Sequence, residues 1–155
     1  MEKIHTYNLT TVWTGNTGNG TTNYRSYKRS VTISAEKKVD ILCTSDTAFN
    51  TDPTKHNPEE LLLASISSCH LLWYLHLCSE AGVVVIDYTD HATATMIETG
   101  EGGGRFTEAI LHPRVVVKVE SMIDKARNLH VRANELCYIA NSCNFPILHR
   151  AEIMC

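Results

Sequence analysis

Between Asn57 and Gly82 the chain writes one long helix that is apolar in every direction, and this stretch limits the fold more than any other. Asn57 suits a helix cap, Pro58 suits the first turn, and Glu59 and Glu60 place negative charge at the positive end of the dipole. Gly82 is a natural stop, so the spacing predicts a helix to about Glu80. Leu61, Leu62, Leu63, Ile66, Leu71, Leu72, Trp73, Leu75 and Leu77 point all around it, and such a helix must be enclosed on all sides. At about 1.5 Å per residue it spans roughly 35 Å, long for one small domain to cover alone.

The flanking sequence supplies the cover. Alternating runs at 4–13, near 24–34 and at 39–43, with a turn over Gly15–Gly20, predict a small antiparallel meander. A loop at 45–56 leads into the helix. Beyond it, runs at 83–97 and 106–119 around the turn Gly100–Gly104 predict a long hairpin. A second helix at 121–140 carries Met122, Ala126, Leu129, Ala133, Leu136, Cys137 and Ala140 as its apolar stripe, and a strand at 145–154 follows. The order β-β-β-α-β-β-α-β is too irregular for repeated βαβ units. The expected fold is α+β, a meander plus a β-β-α-β unit around a buried central helix.

The 155 residues fit a single domain, 1–155. A net charge of -3 without a basic run excludes a nucleic-acid backbone or an anionic membrane as the expected partner. The first residues alternate instead of forming an apolar leader, and no segment holds about 18 apolar residues in a row. A cytoplasmic protein is expected. There, the six cysteines, with no CxxC pair, read first as buried, inert thiols.

Two of them lie on or close to the core-facing side of a predicted helix, Cys69 and Cys137. Cys78 follows Cys69 by nine residues, about 900° of helical rotation, which puts the two on opposite faces and excludes a disulfide between them. His70 and His76 are about 240° apart, and no HExxH motif supports a metal site. His70 is expected to pack beside the central helix or to hydrogen-bond across from it. The glycines form turns, since no helix with a GKS or GKT sequence follows them. The serines at 65, 67 and 68 lack a GxSxG elbow.

Several stretches in order resemble the OsmC/Ohr family of organic hydroperoxide reductases over nearly the whole chain. They are Trp13-Thr14-Gly15 with Gly18, Gly20 and Thr21; Tyr24 to Arg29; Ser45-Asp46-Thr47-Ala48-Phe49; Asn57 to Ser65; Ser68-Cys69-His70; and Cys137 to Asn141. The Tyr-rich N-terminal segment and Leu71-Leu72-Trp73-Tyr74-Leu75 are most similar to the OsmC-like branch.

The resemblance implies an OsmC-like fold in an intertwined homodimer with active sites at the subunit interface. It implies a peroxidatic Cys69, a resolving Cys137, and Arg29 and Glu59 to activate the first. An ordinary thiol is only a few per cent ionised at neutral pH and burial suppresses it further, so a buried nucleophile requires a fixed cation. Arg29 would supply it, with Arg25 the nearest competitor, and Glu59 would hold the arginine by a bidentate pair. The resemblance further implies a dithiol reductant, a lipoyl group on another protein, with no nicotinamide, flavin or other cofactor bound here.

Glu59 and Cys69 are ten residues apart on one helix, about 15 Å along its axis. They cannot touch within a subunit if the helix is regular. Glu59 is therefore expected to serve the Cys69 of a partner chain across antiparallel central helices. Tyr138 stands where the Ohr branch has proline after the resolving cysteine, which leaves Cys143 open as an alternative to Cys137. Bulky organic hydroperoxides are the expected substrates, with Leu62, Ile66, Trp73 and Phe145 candidates to line their pocket. The alternative functions are a redox sensor using the same cysteine pair without turnover, and a dimeric scaffold.

Overall fold

The computed structural model describes residues 3–46 and 51–155, so Thr47, Ala48 and Phe49 of the 45–49 stretch lie outside the described residues. The chain divides into two compact units, Met1–Leu61 and Leu62–Cys155.

In the first unit β1 (Thr10–Trp13), β2 (Val31–Ser34) and β3 (Ile41–Cys43) form the expected antiparallel meander in the order β1-β2-β3. The strands are shorter than their alternation predicts. After Ser34 a tight turn, with the Lys38 N–H bonded to the Ala35 carbonyl, leads the chain away, so residues before Thr10 have no ladder to join. In the predicted Gly15–Gly20 turn the Asn16 carboxamide accepts from the Gly18 and Gly20 N–H groups at 2.9 and 3.1 Å, and the Ser26 hydroxyl donates to the Gly20 carbonyl at 2.9 Å, which extends the loop into the run predicted as a strand from Tyr24.

The Trp13-Thr14-Gly15 stretch has a clear structural use. The indole N–H of Trp13 donates to the Lys28 carbonyl at 2.9 Å, and the Lys28 N–H donates to the Gly15 carbonyl at 2.8 Å. A Cβ at Gly15 would sit 1.7 Å from the Lys28 carbonyl oxygen, so only glycine fits. This clamp fixes the backbone immediately before Arg29.

The helix α1 (Pro58–Glu80) has the predicted limits. The Glu60 N–H donates to the Asn57 side chain at 2.7 Å, and the Glu60 carboxylate accepts from the Asn57 N–H at 3.2 Å, a capping box. At the other end Gly82 takes φ 73° and the Val83 N–H reaches the Cys78 carbonyl at 2.8 Å, a Schellman closure. Lys125 Nζ donates to the Ala81 carbonyl just past the last turn. By length and composition α1 is also apolar enough to cross a membrane. One stripe of it, Ile66, His70, Tyr74 and Cys78, is fully buried in the protein. The all-round enclosure expected from sequence is therefore one-sided in the single chain, where Leu72 is 66% exposed and Leu75 37%.

In the second unit the long hairpin is broken in two. β4 (Val85–Asp90) pairs antiparallel with β7 (Pro113–Val117), and β5 (Thr93–Glu98) with β6 (Gly104–Leu111). The final strand is broken at the same level into β8 (Ile147–His149) and β9 (Glu152–Met154), which run parallel to β6 and β7. The break has a chemical cause. The Asp90 carboxylate takes the His112 N–H at 2.7 Å and accepts the Ser67 hydroxyl from α1, diverting the strands from their ladder. Pro113, which has no N–H, follows directly.

The second helix is shorter than predicted. α2 (Ile123–Leu136) has 3₁₀ turns at Glu120–Met122 before it and at Ala140–Ser142 after it. Cys137 thus stands one residue past the helix in extended conformation, φ -66° and ψ 111°. Ala126, His130 and Ala133 are the buried residues of α2. They join Tyr74, Cys78, Val83, Val115 and Val117 in one side of the core, while Ile66, Ala109 and Leu111 centre another.

Candidate active site

α1 turns Cys69 away from its buried stripe, since it precedes His70 by one position, and leaves the thiol partly exposed. Cys137 is 0% exposed. It is placed by the end of α2, where Asn141 closes the chain back: its side-chain amide donates to the Glu135 carbonyl at 2.9 Å and its N–H to the Cys137 carbonyl at 3.0 Å. The Ala140 N–H points at Cys137 Sγ at 3.4 Å. The Cys137–Asn141 motif is therefore a device for ending a helix with a thiol turned inward.

That thiol meets Cys69. Burial pushes Cys137 up to about 11; the Ala140 N–H opposes the rise, and a hydrogen bond and electrostatic contact with the Cys69 sulfur add to it. At neutral pH Cys137 keeps its proton and can donate it toward Cys69. Both thiols are free.

The other cysteines go elsewhere. Cys143, the alternative partner, packs against the Ile66, Ala109 and Leu111 cluster beside Phe145, and burial raises its pKa. Cys78 lies in the core on the Tyr74 side of α1, as the rotation arithmetic requires. Cys43 is buried in the first unit and Cys155 is exposed.

Arg29 and Glu59 both belong to the first unit. The Arg29 guanidinium lies 4.2 Å from the Tyr24 ring centroid and 5.9 Å from that of Tyr27, a cation–π setting. Its competitor Arg25 is exposed in the preceding turn. Of the two adjacent acids, Glu60 makes the capping box. Glu59 Oε2 is buried and has no hydrogen-bond partner among the described residues. A buried carboxylate oxygen without a donor is costly, so helix-end electrostatics do not fully account for Glu59. α1 is unbroken between Glu59 and Cys69, which keeps them about 15 Å apart along its axis.

An open, shallow apolar depression of about 320 Å³ is lined by Leu72, Trp73 and His76, one to two turns beyond Cys69 on α1. The Trp73 ring meets Tyr138 edge-on at 5.5 Å and His76 at 5.7 Å. Of the residues expected to line a pocket, Trp73 does so. Ile66 instead forms a core cluster with Ala109 and Leu111, and Leu62 and Phe145 pack against it.

The sequence profile described as OsmC-like protein matches residues 51–150. The chain belongs to the OsmC-like protein family. Solved structures with the same fold include an OsmC-like protein of unknown function from Vibrio cholerae, 24% identical with a TM-score of 0.85, covering 96% of this chain and 100% of that one. An organic hydroperoxide resistance protein from Elizabethkingia anophelis is 18% identical with a TM-score of 0.69, covering 99% of each chain. An organic hydroperoxide resistance protein OsmC from Legionella pneumophila is 13% identical with a TM-score of 0.66, covering 99% of this chain and 100% of that one. Among curated proteins none matches at significance.

Sequence reasoning about this OsmC-like chain missed two residues of the α1–α2 contact. His130 and His149 gather around His70, while Tyr138, already singled out after Cys137, meets the Trp73 ring edge-on. A signal for His130 was present, since it falls between Ala126 and Ala133 on the buried stripe of α2. Among the described residues no group of three or more His, Cys, Asp or Glu is placed to hold a metal ion.

Proposed function

We propose that this OsmC-like chain is a thiol peroxidase that reduces organic hydroperoxides to alcohols, with Cys69 peroxidatic and Cys137 resolving. The contact between these two thiols carries the reading: one is reachable from outside, the other is sealed behind it and holds its proton. The Cys69 thiolate attacks the outer peroxide oxygen, the O–O bond breaks, and the alkoxide leaves as alcohol after taking a proton. The resulting sulfenic acid is attacked by Cys137, whose proton departs with the hydroxide as water, and a disulfide closes. An external dithiol, a lipoyl group on another protein, returns both thiols in a reducing cytoplasm.

Arg29 stabilises the thiolate and Glu59 orients the arginine in this scheme. Because Glu59 lies about 15 Å along α1 from its own Cys69, the carboxylate serves the cysteine of a second chain. The open face of α1, with Leu72 and Leu75 exposed, supports a homodimer packed on these helices. The open apolar depression at Trp73 favours a bulky alkyl or aryl hydroperoxide over hydrogen peroxide. Two proteins of the same fold named for organic hydroperoxide resistance support the reaction class.

Steady-state turnover of cumene hydroperoxide and hydrogen peroxide with dihydrolipoamide tests the reading. Cys69→Ser abolishes a strong organic-peroxide preference, Cys137→Ser blocks recycling, and Cys143→Ser stays near wild type. A wild type that oxidises once and does not turn over sinks the peroxidase and leaves a sensor.

A further inference from the structure

A buried polar contact joins α1 to α2 at the residue that follows Cys69. His70 Nε2 and His130 Nδ1 lie 2.9 Å apart, with the two rings within 5° of parallel. The residues are 1% and 0% exposed. Burial holds both neutral, lowering His70 to about 4 and His130 to about 3. Whichever ring donates the shared proton, the outer nitrogens His70 Nδ1 and His130 Nε2 make no hydrogen bond among the described residues. The Tyr74 ring stacks on His130 at 3.9 Å, and His149 lies 5.7 and 5.9 Å from the two imidazoles.

Such a pair is a poor way to gain stability. Two apolar side chains of similar shape would pack as well and leave no buried nitrogen unsatisfied. What a hydrogen bond adds is direction, because it fixes the rotation of one helix against the other. Cys69 immediately precedes His70, and Cys137 follows His130 by seven residues. Rotating a helix by about 20° carries a side-chain end some 5 Å from its axis through roughly 2 Å. That is comparable with the whole travel from thiol contact to a sulfur–sulfur bond of about 2.05 Å.

We propose that the His70–His130 bond is a positioning device for disulfide closure, holding α1 and α2 in the rotation that brings Cys137 onto Cys69. It deepens the peroxidase reading and rests on that reading for its purpose, while the geometry can be tested without hydroperoxide. A slack contact would leave the Cys69 sulfenic acid waiting, and a second hydroperoxide would oxidise it to the sulfinic acid with release of another alcohol.

The test compares wild type, His130→Leu and the double variant His70→Gln/His130→Asn. The glutamine amide reaches the place of Nε2 and the asparagine amide that of Nδ1, so the double variant keeps one hydrogen bond between the helices. One readout is the equilibrium of the Cys69–Cys137 disulfide with glutathione; the other is single-turnover oxidation by cumene hydroperoxide followed by mass spectrometry. In His130→Leu, Cys69 is oxidised within about twofold of wild type, closure slows about tenfold or more, sulfinic acid accumulates, and the disulfide is about tenfold less favoured against glutathione. The amide pair restores closure to within about threefold.

Wild-type closure in a folded His130→Leu overturns the proposal, as does an amide pair no faster than the leucine variant. Should the leucine variant fail to fold, His70→Asn/His130→Asn, whose first amide is too short to span, takes its place with the same expected slowing. If the glutathione equilibrium shifts as expected but hydroperoxide oxidises no variant, the peroxidase reading falls and the positioning role stands.

Discussion

The two units of the chain bury their apolar side chains very differently. Among the described residues of Met1–Leu61, Cys43 is the one buried apolar side chain, while Ile4, Tyr7, Leu9, Val12, Val39 and Leu42 face outward. All four residues of β1 are exposed. In Leu62–Cys155, Ile66, Tyr74, Leu111, Val115 and Val117 are sealed in two packed clusters. The second unit therefore carries its own core, and the first is held by its β1-β2-β3 ladders and by turn hydrogen bonds. The pair of thiols sits in the second unit, and Arg29 and Glu59 sit in the first. In the proposed scheme, where Glu59 serves the cysteine of a second chain, activity depends on assembly.

The largest expected effect breaks that dependence. Leu75→Glu places a charge on the open face of α1, about 240° around the helix from Cys69. It should give a monomer by light scattering and lower hydroperoxide turnover by about 100-fold or more. A monomer with full activity at nanomolar concentration would show that the units need no partner.

A smaller effect probes the core of the second unit through acid. Folded His70 and His130, at about 4 and about 3, lie below the ordinary 6.5, so the unfolded chain binds protons first as pH falls. Their contribution is complete above about pH 6.5 and is lost between there and about pH 3, on the order of 3 kcal/mol per histidine. Urea unfolding at pH 7.5 and 4.5 should show the drop, and His70→Gln/His130→Asn should flatten it. An equal drop in the double variant would assign the acid sensitivity to other groups.

The smallest effect concerns the junction at the start of α1. Asn57→Ala removes the capping box and should cost about 1 kcal/mol by chemical denaturation. Glu59→Gln should leave that stability nearly unchanged and reduce turnover, since the cap belongs to Glu60. Equal stability losses would make Glu59 a helix-end residue only.

Elements whose ends are set by local chemistry were legible in the sequence. Asn57, Pro58 and Gly82 define α1 to the residue, and the meander follows from alternation and turns. The breaks in the hairpin were not legible, because they depend on Asp90 capturing the His112 N–H and the Ser67 hydroxyl from distant parts of the chain. The early end of α2 depends likewise on Asn141 reaching back to Glu135. The resemblance named Cys69 and Cys137, and composition alone would have left them among six similar thiols. His70 was expected to bond across from its helix; its partner required the packing of α2.

The sealed position of Cys137 governs how a disulfide there would be undone. An incoming thiol reaches the Cys69 sulfur alone, so the mixed disulfide forms at Cys69 and Cys137 must depart as the leaving group. A thiol held at about 11 leaves slowly and, once released, is well placed to strike back and expel the newcomer. A reductant with one sulfur would be rejected in most encounters. One with a second sulfur on the same molecule would finish the exchange before Cys137 returns, so in the proposed cycle burial of a single atom favours a dithiol as reductant.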